Sequence, residues 1–153
     1  MTTTTGAAFH VHAIPADGLR RLREPNRTTV PSHAGGGESL RCCLRAAEPG
    51  EEVLLVGYEP PLPPSPYRET GAVFVHAARC SGPTGTGYPA DWRGRPQVLR
   101  AYDRHGHIHP ATRVHDGHDP ESAIRDVLAD PAVVEVHSRN VAYGCFMFKI
   151  LRE

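Results

Sequence analysis

Between Asp119 and Leu151 the chain reads as one helix followed by two short strands, and that succession limits the fold more than any other feature. Asp119 is a good N-cap, Pro120 suits the first helical position, and Glu121 favours the positive end of the helix. Ala123, Ile124, Val127 and Leu128 recur at helical spacing and form an apolar stripe, and Asp130-Pro131 ends the run. Val133 to Arg139 and Tyr143 to Leu151 then read as the two strands of a hairpin. A helix with a single apolar face must bury it against another layer. The expected fold is therefore α+β: a mixed, mainly antiparallel sheet, with the helix over 119–129 as the principal C-terminal helix packed on one face.

Upstream, Phe9 to Ala13, Val53 to Val56, Ala72 to Ala77 and Val98 to Tyr102 read as strands, and Pro15 to Leu22 as one or two helical turns. Leu40 to Arg45 alternates, with Leu40, Cys42 and Leu44 on one face and Arg41, Cys43 and Arg45 on the other, which is the pattern of a half-buried strand. The tract from His107 to His115 is a further strand candidate. The stretches 23–37 and 81–95, rich in Gly and Pro, read as mobile loops, with Trp92 anchoring the second. Five prolines between Tyr58 and Pro66 make that connection extended and inflexible. A chain of 153 residues fits a single domain, 1–153.

Charge narrows the partners. Lys+Arg and Asp+Glu both total 17, so the chain lacks the basic excess of a nucleic-acid-binding domain. Lys149 is the sole lysine among the basic residues, a bias that fits GC-rich coding better than a set of anion contacts. No stretch approaches the ~20 apolar residues that span a bilayer, and the first residues, MTTTTGAAFHVHAIP, do not form a secretory signal. The expected compartment is the bacterial cytoplasm, where the four cysteines are thiols or ligands rather than disulfides. The expected partner is an anionic small molecule, with neither nucleic acid nor membrane, and a homodimer is compatible with this reading.

Parity within the hairpin suggests a site. Val134 and Val136 share one face of the first strand, and Glu135, His137 and Arg139 share the other. Burying those valines with Phe146, Phe148 and Ile150 sets His137 and Cys145 on one common face. A three-residue loop, Asn140-Val141-Ala142, would put them directly opposite each other. The resulting polar surface carries Glu135, His137, Arg139 and Cys145. An imidazole opposite a thiol is the minimum for a nucleophile pair, and arginine clamps carboxylate or phosphate. Cys43, between Arg41 and Arg45, is a second candidate thiolate, while Cys42 reads as a small core residue. Cys43, His76, Cys80, His137 and Cys145 would together suffice for zinc or ferrous iron, but no CxxC or HExxH spacing announces such a site, and no metal or other cofactor is assigned. The tract from His105 to His118 is read as a loop with compositional bias.

Four blocks carry a family resemblance: LRCCL running into EPGEEVLL, SPY followed by GAVFVH, LRAYD, and VHSRN with Gly144-Cys145. In these the sequence resembles a bacterial family known as domain of unknown function 1203. The resemblance covers most of the chain and implies no settled activity. It implies that Arg41, Cys43, Tyr67, His76, Tyr102, Asp103, His137, Arg139 and Cys145 stand at typical family positions, whereas the histidine tract lies outside the pattern.

The leading expectation is a small-molecule enzyme with its site on the sheet face opposite the helix. Cys43 or Cys145 would act as nucleophile or redox thiol, His137 as base, and Tyr102 with Asp103 as acid or hydrogen-bonding group. Arg41 and Arg139 would clamp the anion, with Asn140, Tyr67 and His76 as further ligand contacts. The alternatives are a non-catalytic ligand-binding or regulatory domain, and a zinc- or iron-binding metalloprotein.

Overall fold

The structure is a computed structural model and describes residues 8–153. In chain order its elements are β1 (Phe9–His12), α1 (Ala16–Leu22), β2 (Val30–His33), β3 (Ser39–Leu40), β4 (Arg45–Ala46), β5 (Glu52–Tyr58) and β6 (Gly71–His76). A 3-10 turn at Ala90–Trp92 follows, then β7 (Gln97–Tyr102), β8 (Arg113–His115), α2 (Pro120–Leu128), β9 (Glu135–Asn140) and β10 (Phe146–Arg152). The strands build two five-stranded sheets where one was expected, in the orders β1-β10-β9-β7-β8 and β2-β5-β6-β3-β4. All pairings are antiparallel except β3 with β6. Among the described residues no helix is long and apolar enough to cross a membrane.

The apolar patterns explain the two layers. Asp119 caps α2 by accepting from the Ser122 amide, and Ala123, Ile124, Val127 and Leu128 are buried. They pack with Val11, Leu99, Ala101, Val136, Phe148 and Ile150 of the first sheet. The second sheet buries Leu40, Val53, Val56, Val73 and Val75 with Ile14 and with Leu19 of α1. Trp92 is buried in the first core and anchors the glycine-rich stretch before β7.

Three expectations need correction. The stretch 23–37 contains β2, an edge strand whose proline faces no central ladder. Residues 41–44 are a tight turn between β3 and β4, closed by the Leu44 amide donating to the Leu40 carbonyl, and Leu44 takes a left-handed φ of 58°. The alternation of Leu40 to Arg45 therefore misleads, because the chain reverses where a strand was expected to continue. In the hairpin, Phe146 pairs with Arg139 and Lys149 with His137, while the register slips between Phe146 and Phe148. Met147 is the extra residue of a bulge, so Phe146 turns to the second core while Met147 and Phe148 stay in the first. Cys145 lies in the loop before β10, and His137 sits opposite Lys149 rather than Cys145.

Candidate functional site

The turn at 41–44 brings together groups that a strand would have separated. Cys42 and Cys43 place their Sγ atoms 4.0 Å apart, and His76 Nδ1, at the end of β6, lies 3.3 Å from Cys42 Sγ and 3.9 Å from Cys43 Sγ. Cys80 follows four residues after His76, and the ligating atoms of all four residues lie within 4.8 Å of one another. Two backbone amides point at the sulfurs: His76 N–H donates to Cys42 Sγ at 3.3 Å and Gly82 N–H to Cys80 Sγ at 3.4 Å. A tetrahedral zinc with Zn–S near 2.3 Å and Zn–N near 2.0 Å has ligand edges of ~3.8 Å for S–S and ~3.5 Å for S–N. The spacings among Cys42, Cys43 and His76 are close to these.

The cluster has an outer layer. His76 Nε2 lies 3.0 Å from Glu51 Oε2, and Arg45 donates to both oxygens of Glu51 at 3.0 and 2.9 Å. Nε2 lies between an acceptor, Glu51, and a donor, Arg45 Nη2 at 3.2 Å. In the tautomer that donates to Glu51, Nδ1 keeps its lone pair toward the sulfurs, the arrangement that orients a metal-binding histidine. Arg45 holds the Glu51 carboxyl well below its usual range, so the ring faces a carboxylate. Between the two adjacent sulfurs, their mutual hydrogen-bonding contact favours the Cys42 thiolate and pushes the Cys43 thiol up. Cys43, His76 and Cys80, with Arg45, Tyr88 and Asp91, line an open cleft of about 830 Å³.

A second polar group lies on the first sheet, on the face away from α2. His137 is 0% exposed; its Nε2 lies 2.7 Å from Glu135 Oε2 and its Nδ1 has no partner. Tyr102 and Phe146 enclose the ring, at centroid distances of 4.6 and 5.3 Å. Burial holds the imidazole below its ordinary value against the opposing pull of Glu135. The expected polar surface is thus a buried seam, and no hydrogen bond joins His137 to Cys145. Arg139 donates to the Gly144 carbonyl at 2.8 Å, and Arg41 donates from Nε to the Phe146 carbonyl at 2.7 Å. Arg41 therefore turns away from Cys43, leaving Arg45 as the arginine at the thiol cluster.

The remaining candidates are dispersed. The Tyr102 hydroxyl lies 3.4 Å from an Arg100 nitrogen, and the Asp103 carboxylate accepts the amides of His105 and His107, which closes a turn. Asn140 accepts from Gln97, and Tyr67 is exposed beside His107. Cys42 was not legible as a site residue because its place depends on the reversal at 41–44, and Glu51 because its place beside His76 depends on the pairing of β5 with β6. The adjacency of the two cysteines was the single available signal, and strand parity argued against it.

A family model described as "Protein of unknown function (DUF1203)" matches residues 37–152. The chain belongs to this family. The DUF1203 match takes in all four members of the Cys/His cluster and the seam around His137, and it begins after β1, α1 and β2. No curated protein and no solved structure matches the chain.

Proposed function

We propose that this DUF1203 chain is a zinc-binding domain in which Cys42, Cys43, His76 and Cys80 hold one Zn²⁺. The observation that carries this reading is the convergence of three sulfurs and one imidazole nitrogen within 4.8 Å, with Glu51 already in position behind the imidazole. Three thiolates and a neutral imidazole are a donor set that suits zinc, and four protein ligands close the tetrahedron. The metal would then act as a tie between the 41–44 turn, the end of β6 and the start of the glycine-rich stretch. A zinc ion there would neutralise the charge of three neighbouring thiolates, since each cysteine binds deprotonated.

The test is elemental analysis of protein purified without a histidine tag or chelator. About one zinc per chain is expected, falling sharply in Cys80→Ser and His76→Ala. Substituted Co²⁺ should show tetrahedral d–d bands and thiolate charge transfer. Protein that neither retains zinc nor takes it up when supplied would sink the reading.

The cleft favours a second reading, a thiol enzyme acting on a small molecule, because Cys43 lines it beside His76. Alkylation separates the two. A zinc-bound Cys43 reacts slowly with iodoacetamide and speeds up on chelation, whereas a catalytic thiolate reacts fast with or without chelator.

A further inference from the structure

The seam on the first sheet holds more positive charge than the chain neutralises. Arg41 is 4% exposed and, among the described residues, has no carboxylate partner; it meets the carbonyls of Phe146 and Ser39. Burial lowers its guanidinium only to about 10, so it stays charged at neutral pH. Arg139, 7% exposed, has a buried Nε with no acceptor. A buried charge without a partner carries a large desolvation cost that a bound anion offsets. Glu135 pairs with His137, and among the described residues no ion pair links it to either arginine.

One carboxylate reaches this group from outside. Glu69, on the connection between β5 and β6, sets its Oε1 3.0 Å from Arg139 and 3.4 Å from Arg100. Its side chain is 52% exposed, so water competes for it, and the same single oxygen serves both arginines. Arg100 divides that nitrogen between Glu69 and the Tyr102 hydroxyl, both at a long 3.4 Å. Two guanidiniums from neighbouring strands β7 and β9 thus converge on one half-exposed carboxylate oxygen. A free carboxylate could offer both oxygens there, in the forked geometry that arginine prefers.

We propose that Arg100 and Arg139 form a binding site for a small-molecule carboxylate, with the Glu69 side chain as its internal competitor and Arg41 as added positive charge in the same seam. The site is independent of the zinc reading, because it shares no residue with the Cys/His cluster. Entry requires only that the half-exposed Glu69 side chain swing into solvent.

Isothermal titration with succinate tests the assignment, at constant ionic strength held with chloride and with inorganic phosphate as a parallel probe. Glu69→Gln should bind succinate several-fold more tightly than the wild type, since the competitor loses its charge. Arg139→Gln and Arg100→Gln, each added to Glu69→Gln, should abolish that binding. If Arg139→Gln fails to fold, the more exposed Arg100→Gln tests the same site. Equal or absent succinate binding in wild type and Glu69→Gln would overturn the site, and phosphate binding without succinate binding would overturn its carboxylate class.

Discussion

His137 shows how burial sets the chemistry of one side chain. Its ring is enclosed by Tyr102 and Phe146, and desolvation outweighs the nearby Glu135 carboxylate, so its folded pKa lies below the ordinary 6.5. The unfolded chain therefore binds more protons than the folded one as the pH drops below 6.5. Stability contributed by this residue is present above that value and is lost as the pH falls through the lowered folded pKa. His12 and His115 shift in the same direction, again chiefly through burial. Urea midpoints between pH 7.5 and 5 should fall in the wild type, and His137→Gln should show a shallower fall whatever its absolute stability. Equal slopes would show that His137 does not carry the effect.

At the scale of elements, the ends of α2 and the turns around it take the strain. Asp119 accepts the Ser122 amide, so Asp119→Ala is expected to cost about 1 kcal/mol in chemical denaturation. Gly117, just before that cap, has φ +89°, and a Cβ there would lie 2.4 Å from both the N and the O of Arg95. Backbone atoms cannot yield as a flexible side chain can. Gly117→Ala should therefore cost about 2–3 kcal/mol, from strain and collision together, read as a lowered denaturant midpoint. The same scale explains what was legible. The helix was, because its cap, its proline and its apolar spacing are all local. The strand content of 30–33 was not, because Pro31 and the flanking glycines give loop signals, and β2 exists through pairing with β5.

For the whole molecule, the two cores and the Cys/His cluster divide the structure into regions that should respond differently to metal removal. The cluster joins the 41–44 turn, β6 and the stretch leading to Trp92, all beside the second sheet, whereas β9 and β10 are held by α2 and the first core. If the cluster holds zinc as proposed, chelation is expected to lower Tm and to speed amide exchange in residues 40–46 and 76–91. Exchange in 97–102 and 135–152 should change little. Uniform exchange across both sheets would contradict the tie assigned to zinc.

By itself the sequence determined the α+β class, the cap and stripe of α2, most of the strands, and the pool of Cys, His and Arg from which any site is drawn. These follow from short-range rules of spacing, capping and alternation. The division into two sheets, the bulge at Met147 and the reversal at Leu44 were decided by tertiary structure. Each depends on contacts between residues far apart in the chain, such as the parallel pairing of Leu40 with Phe74 and the Arg41 bond to the Phe146 carbonyl. Those contacts turned LRCCLR from an apparent strand into a turn, and so set Cys42 beside Cys43 and His76 instead of on the opposite face.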